Sequence, residues 1–415
     1  MENCRIEVSA DENEDVSMGC KKKAFVIGAS SEAQHAIEVA HKKGIYVIAL
    51  DGNPYADGFA YADEYHVIDI SDRDKVCQCV EKIMPDFVLP VPIGRYLLTT
   101  GYVNEKFDLK GIRYEAADLS TDKYRFHLKL KAAGLREIKD YLIDRETDLT
   151  SLDINYPAIL KPRFGSGSRD IFYVECFENL KQKYNEIRNT QEDFVLEQVV
   201  DGTEYGVDAV VIDQELQIIL VRKKWNTPLP MRQAISYFSV GNSLEDKRLE
   251  NQICEYLQKA ARTLGYNDCL LHADIIVNDE KIFVIEMSPR PSGHSLHNLF
   301  VPLVTGVDPI EEYVKFLLGE GYSFKPLYIK CMQIRFFDFE NATITKIPDE
   351  EQLRKNAECN LVYWKCNIEQ GEWMAPVTNG KSIMGRGLFV VEGKNEEDLV
   401  RQSNWILSQF EVKED

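Results

Sequence analysis

Asp274 and Glu286 are the residues whose types and spacing point most directly to chemistry. They sit in two strand-like runs, Leu271-His272-Ala273-Asp274-Ile275-Ile276-Val277 and Ile282-Phe283-Val284-Ile285-Glu286. Between these lies Asn278-Asp279-Glu280-Lys281, which is turn chemistry. Pairing about that turn sets Asp274 opposite Glu286, within one residue of register. Like charges directly opposed destabilise a sheet. Such a pair persists by sharing a proton or by holding a cation. Met287-Ser288-Pro289-Arg290 follows and adds a guanidinium beside the acids. Hard oxygen ligands next to a fixed cation suit Mg²⁺ with bound phosphates. A solvated hairpin with incidental acids is the plainer alternative for this segment alone.

A second segment carries phosphate chemistry. Tyr156-Pro157-Ala158-Ile159-Leu160-Lys161 reads as a strand that opens into Pro162-Arg163-Phe164-Gly165-Ser166-Gly167-Ser168-Arg169. Glycines let backbone N–H groups approach phosphate oxygens, and serines add donors. Lys161 supplies a point charge at the root of the loop. The chain returns through Ile171-Phe172-Tyr173-Val174, so the loop is a hairpin tip. The G-x-x-x-x-G-K-[ST] order of a strand-to-helix phosphate loop is missing. Downstream, Phe194-Val195-Leu196-Glu197-Gln198-Val199-Val200-Asp201-Gly202-Thr203-Glu204 is an apolar strand running into a polar turn. It suits an adenine slot followed by a ribose-binding acid.

These segments need a scaffold. The chain has 415 residues, 44% of them hydrophobic, enough for several cores. No apolar run is long enough to cross a membrane. A formal net charge of −19 argues against nucleic acid or anionic membrane as partners, and leaves room for nucleotides at a local basic cluster. The ten cysteines are scattered without zinc spacing, as in a reduced cytoplasmic protein. Residues 1–22 are acidic and polar, without a secretory signal, and read as a disordered tail. From residue 23, strands at Ala24–Ile27, Ile45–Leu50, His66–Ile68 and Phe87–Leu89 alternate with helices near 32–43 and 72–84. This pattern predicts an open parallel α/β sheet. Asp51 stands where a dinucleotide-binding acid would. Yet Gly28-Ala29-Ser30-Ser31-Glu32-Ala33 keeps one glycine of that fingerprint, which weakens the dinucleotide alternative. Further helices are expected at 121–135, 177–188, 309–318 and 395–409, with strands at Met332–Phe336 and Gly387–Val391.

Taken in order, these pieces resemble the ATP-grasp superfamily, in particular its biotin-carboxylase-like ligases. The resemblance runs from about residue 24 to 410. It implies a mixed α/β and α+β architecture: a parallel pre-grasp domain (23–120), a lid subdomain with its linker helix (121–200), a catalytic subdomain (201–326) and a β-rich closing unit (327–415). It also implies roles. Lys123 and Lys161 match the phosphate-contacting lysines, with Gly165, Ser166, Gly167 and Ser168 as the loop between them. Glu197 and the backbone at Val199 match the adenine hinge, and Glu204 the ribose acid. Asp274, Glu286 and Ser288 match the metal ligands, and Arg290 the catalytic arginine. Two Mg²⁺ ions are expected, with Mn²⁺ a substitute. Three departures stand out. Asp170 follows Arg169 where the family has glycine, Ser288 replaces an asparagine, and Asp274 replaces a glutamate.

The implied reaction joins a carboxylate to an amine through an acyl phosphate, forming ADP and phosphate. Substrate contacts are expected from Arg222, Lys224 and Arg232, and from His294 near the amine. His272, two residues from Asp274, is read as supporting it or as packing. Two alternatives stay open. One is a bicarbonate-activating carboxylase or a purine-pathway ribonucleotide ligase. The other is a nucleotide-binding regulator that has lost catalysis. A homodimer is compatible with the sequence.

Overall fold

Short apolar runs build the first sheet of the computed structural model, which describes residues 21–165, 170–190, 192–228, 232–241, 243–279, 281–377 and 380–414. Nearly all of the acidic stretch read as a tail, together with Ser166, Gly167 and Ser168, lies outside these residues. Strands β1 (Lys23–Ile27), β2 (Tyr46–Asp51), β3 (Glu64–Val67) and β4 (Phe87–Val88) pair in parallel in the order β3-β2-β1-β4. Residues of β1 and β2 alternate between two cores. Ala24, Val26, Val47 and Ala49 pack with Ala36, Ile37 and Ala40 of α1 (Gln34–Lys42). Phe25, Ile27, Ile48 and Leu50 pack with Val76, Cys77 and Val80 of α2 (Arg73–Ile83). Helices α3 (Leu97–Lys106) and α4 (Tyr114–Thr121) then lead towards the next unit.

Asp51 is engaged in shaping its own turn. One carboxylate oxygen accepts the Ala29 N–H at 2.8 Å and the other the Asn53 N–H at 2.8 Å. Gly28 holds φ +96°, and a Cβ there would meet Ile93 Cδ1 at 2.6 Å. The features that hinted at a dinucleotide therefore have a structural use.

Helix α5 (Lys123–Ala132) begins at Asp122, whose carboxylate accepts the N–H groups of Tyr124 and Arg125. A second sheet follows: β5 (Asp140–Ile143), β6 (Ala158–Pro162), β7 (Phe172–Val174) and β8 (Phe194–Gln198), antiparallel in the order β5-β8-β6-β7. Period-2 alternation turns Leu160, Phe194 and Leu196 towards Leu180 and Tyr184 of α6 (Phe177–Ile187). It turns Lys161 and Glu197 to the opposite face.

The large sheet takes strands from both remaining units. Its members are β9 (Thr203–Ile212), β10 (Glu215–Asn226), β11 (Ala234–Val240), β12 (Cys269–Asn278), β13 (Lys281–Ser288) and β14 (Met332–Phe336), joined by two later strands. Strands β15 (Ala342–Lys346), β17 (Trp373–Met374) and β19 (Glu411–Glu414) form a small sheet, while β16 (Leu361–Cys366) and β18 (Gly387–Glu392) complete the large one. The large-sheet order is β13-β12-β9-β10-β11-β14-β18-β16. The segment expected as a separate closing unit from 327 onward thus shares its sheet with the unit before it. Helix α7 (Leu244–Leu264), which the sequence reading passed over, packs Ile253, Leu257 and Ala261 against that sheet. The described cysteines are free thiols. Among the described residues, no helix is long and apolar enough to cross a membrane.

Candidate active site

Strand register builds the site. Asp274 pairs with Glu286 on β13 and with Gly206 on β9, and Gly206 pairs with Arg222 on β10. One row of the sheet therefore reads Glu286, Asp274, Gly206, Arg222. The next row on the same face holds Ser288, His272 and Asp208. Gly206 is bare because a Cβ there would lie 2.8 Å from Arg222 Nη1. The Arg222 guanidinium lies across that gap, fully buried, 5.1 Å from the centre of the Tyr237 ring. Its Nε donates to Asp208 at 2.7 Å, and Ser292 Oγ donates to the other Asp208 oxygen at 2.6 Å. Nη1 and Nη2 have no hydrogen-bond partner among the described residues.

Asp274 has a cation beside it already. Lys224 Nζ stands 2.6 Å from Oδ1, off the line a hydrogen bond requires, so the contact is an ion pair. Burial raises the Asp274 pKa, but Lys224, His272 and Arg222 together outweigh it and hold the carboxyl well below its usual range. Burial likewise works against the Lys224 ammonium, yet Asp274 pushes its pKa up to about 12. His272 Nε2 lies 3.4 Å from the same oxygen, and burial drives its pKa down to about 4, so it is neutral at pH 7.

Glu286, Ser288 and Arg290 open on a cleft of about 520 Å³ that Lys123 and Gly165 share. Lys123 Nζ donates to the Gly165 carbonyl at 2.8 Å, which ties the root of the Gly/Ser loop to the start of α5. Burial lowers the Lys123 pKa, with Glu286 pulling the other way. Arg163 clasps Asp122 through Nε at 2.9 Å and Nη2 at 2.7 Å. Phe164 sits between two cations, with Arg95 4.9 Å and Arg163 5.1 Å from its ring centre.

Lys161 and Glu197 belong to a buried network. Lys161 donates to Glu197 at 2.6 Å, and Arg136 bridges Glu197 (2.8 Å) and Asp140 (2.9 Å) while donating to the Val284 carbonyl at 2.9 Å. Burial would raise the Glu197 pKa, but Lys161 and Arg136 bring it down to about 2. The Glu197 side chain is therefore a holder for Lys161 rather than a free adenine contact. The Val199 N–H is engaged with the Pro157 carbonyl at 3.2 Å. Glu204 is held by Arg232 and by Asn226 Nδ2, the latter at 2.8 Å.

All three cations read as substrate contacts thus face an acid: Arg222 faces Asp208, Lys224 faces Asp274 and Arg232 faces Glu204. His294 packs edge-to-face on Phe336 at 6.4 Å, and burial pulls its pKa down to about 4. Asp170 is exposed with φ +56°, a left-handed conformation that glycine adopts freely and aspartate tolerates. The sequence reading missed Arg136, Asp140 and His127, which back Lys161. It also missed Arg95, Asp208 and Glu32. No local motif marks these residues; long-range packing brings them in. Among the described residues no three His, Cys, Asp or Glu side chains converge as a metal cage. Glu286 lines the cleft and pairs with Asp274 across the hairpin, and two such carboxylates fit Mg²⁺, which takes few protein ligands and completes its shell with other oxygen donors.

Comparison with known proteins places this architecture. An ATP-grasp domain profile matches residues 154–298, which hold the Gly/Ser loop, the hinge and both acids. The chain carries an ATP-grasp domain. Its ATP-grasp fold superposes on an L-amino acid ligase from Bacillus licheniformis with TM-score 0.78 at 16% identity, covering 96% of this chain and all of that one. It also superposes on the biotin carboxylase domain of the Hydrogenobacter thermophilus 2-oxoglutarate carboxylase, solved with MgADP and bicarbonate. There the TM-score is 0.67 at 17% identity, covering 94% and 90% of the two chains. In sequence, a formate-dependent phosphoribosylglycinamide formyltransferase from Prochlorococcus marinus (strain NATL1A) is 22% identical over 311 residues, 72% of this chain and 77% of that protein.

Proposed function

We propose that this protein joins a carboxylate to an amine, forming an amide or peptide bond through an acyl phosphate and releasing ADP and phosphate. The observation that carries the reading is the register of Asp274 and Glu286, on one sheet face with Ser288 and beside Arg290, at the cleft that Lys123 enters. In this reading ATP lies beneath the loop of Gly165, Ser166, Gly167 and Ser168, with Lys123 and Lys161 at its phosphates. The backbone of Glu197 to Val199 borders the adenine and Glu204 the ribose. Asp274 and Glu286, with Ser288 directly or through water, would hold magnesium, two ions in this reading, with manganese able to replace it. When bound, the metal offsets charge on the transferring phosphoryl group. Arg290 grips the anionic oxygens of the acyl phosphate, a task suited to a planar fork of donors. The lid of residues 121–200 excludes water from that reactive species.

The pairing of Arg222, Lys224 and Arg232 with acids supports a small carboxylate and amine. A phosphate-ester substrate calls for unpaired cations; Lys223, Lys224 and Arg232 each face an acid, and the Nη groups of Arg222, without a hydrogen-bond partner among the described residues, are what these strands offer an anion. The similarity to the formyltransferase favours the ribonucleotide alternative, and the similarity to the carboxylase domain the bicarbonate one. Loss of catalysis finds less support, because Asp170 keeps a glycine-like backbone and points to solvent.

Incubation with Mg-ATP and a mixed pool of amino acids and short carboxylates is expected to yield ADP, phosphate and a new amide detectable by mass spectrometry. AMP with pyrophosphate would contradict the reading. A strict need for bicarbonate would move it to the carboxylase alternative.

A further inference from the structure

Lys224, read from the sequence as a substrate contact, stands on a proposed metal ligand instead. Strand β9 lies between β10 and β12, so the Lys224 side chain crosses a whole strand, roughly 10 Å of sheet, to reach Asp274. Its Nζ comes to 2.6 Å from Asp274 Oδ1, and the side chain is only 9% exposed. Gly206, the β9 residue paired with Asp274, adds no side chain that would compete for the carboxylate. His272 Nε2 approaches the same oxygen at 3.4 Å. Oδ1 is buried, while the Asp274 side chain as a whole keeps 27% exposure. One side of this carboxylate is taken, and the exposure belongs to the other.

These residues fit one divalent ion better than two. Among the described residues no three His, Cys, Asp or Glu side chains converge. Glu286 and Ser288 line the cleft, and Asp274 is not part of its lining. Serine is neutral and short, so Glu286 is the single anionic side chain there. Two dications side by side repel strongly and need shared anionic oxygens between them. Displacing Lys224 to make room is costly as well. Glu204, the other carboxylate near enough to favour its charge, is already held by Arg232 and Asn226. Moved off Asp274, the ammonium would stay buried without an acid, and breaking a buried pair in that way is strongly destabilising.

We infer that the site works with one divalent ion and that the Lys224 ammonium is its fixed second cation. The inference rests on the ligase reading above and revises the ion count in it. The ion would bind Glu286 and the open side of Asp274, and take its remaining ligands from phosphate oxygens and water. Lys224 occupies the oxygen of Asp274 that a second ion would need, and contributes one positive charge beside the first. That charge is part of the chain and requires nothing from solution. Turnover should therefore level off once all ATP is Mg-ATP, with no further demand for free Mg²⁺. The departures at the metal positions agree with this. Asp274 and Ser288 are both shorter than the glutamate and asparagine of the family pattern, which draws oxygen ligands away from a second ion.

Manganese counts the ions without turnover. The full chain is titrated with Mn²⁺ in the presence of a non-hydrolysable ATP analogue, and electron paramagnetic resonance reads the unbound ion. Its pulsed form reads coupling between neighbouring ions, which lie roughly 3.5–4 Å apart in two-ion sites. Wild type is expected to bind one Mn²⁺ per chain, uncoupled. Lys224→Met keeps the length of the side chain and frees Asp274, and is expected to take a second, coupled ion. Lys224→Arg keeps a cation and is expected to stay at one. Two coupled ions in wild type or in Lys224→Arg would overturn the inference, with the ligase reading intact. A folded Lys224→Met that binds the analogue and still holds one ion would overturn it too. Should that variant not fold, the wild-type count decides. A wild-type rate that rises several-fold with Mg²⁺ added beyond ATP would also count against it. A wild-type protein that binds neither the analogue nor Mn²⁺ would remove the ligase reading and this inference together.

Discussion

Glu286→Gln is expected to lower kcat by roughly 10²-fold or more while the protein stays folded. Glu286 sits on edge strand β13, lines the cleft and faces Asp274 across the hairpin. Glutamine has the same shape, so packing around Met287 and Ser288 is preserved. The change removes one anionic oxygen ligand, and charge on the transferring phosphoryl group then goes without its counter-ion. It also relieves the like-charge opposition with Asp274, so the melting temperature should hold or rise slightly. Steady-state ADP release and a thermal melt check both halves. Near wild-type turnover would remove the two acids from the metal-binding role.

Glu197→Ala is expected to have the largest effect on stability. It leaves Lys161 and Arg136 buried without their shared acid, since Glu197 lies 2.6 Å from one and 2.8 Å from the other. Breaking a buried pair by removing one partner typically costs about 3–5 kcal/mol. Arg136 keeps Asp140 and the Val284 carbonyl, so Lys161 is the cation most exposed to the loss. Glu197→Gln should be milder, because its amide oxygen can still accept from Lys161. Urea unfolding gives the stability change, and nucleotide titration should show weaker binding through the displaced Lys161. An unchanged unfolding midpoint would mean that the network is not a structural unit.

Much of the site was legible because strand pairing follows from pattern. The turn at Asn278-Asp279 set the hairpin to within one residue, a bulge between Asp274 and Ile275 then brings Asp274 opposite Glu286, and alternation places Lys161 and Glu197 on one face. The helix at Pro309–Leu318 matched its expected bounds, because Asp308, Pro309 and Gly319 punctuate it. Helix α7 was equally well marked, by the Ser243–Asp246 capping box and by Gly265 at φ +70°, but the surrounding strand-rich pattern masked it. The partners of the charged groups were not legible. Arg136, Asp208 and Glu32 are ordinary surface residue types in sequence, and their burial depends on which sheet face each meets. The merging of the last unit into the large sheet was hidden for the same reason, since the pairing of β11 with β14 joins residues far apart in the chain.

The central claim is that nucleotide binds between the lid and the large sheet, under Lys161. Hydrogen exchange measured with and without Mg-ATP tests it most directly. The Gly/Ser loop is rich in residues suited to donate to phosphate oxygens, and Glu197 to Val199 borders the nucleotide in this account. Mg-ATP is therefore expected to slow exchange across Lys161 to Gly165 and around Glu197 to Val199, and to leave β1 and the Gly28 to Ser31 turn unchanged. Lys161→Ala should abolish most of that protection. Protection at Gly28 to Ser31, with none at Lys161 to Gly165, would place the nucleotide on the N-terminal sheet and contradict the account.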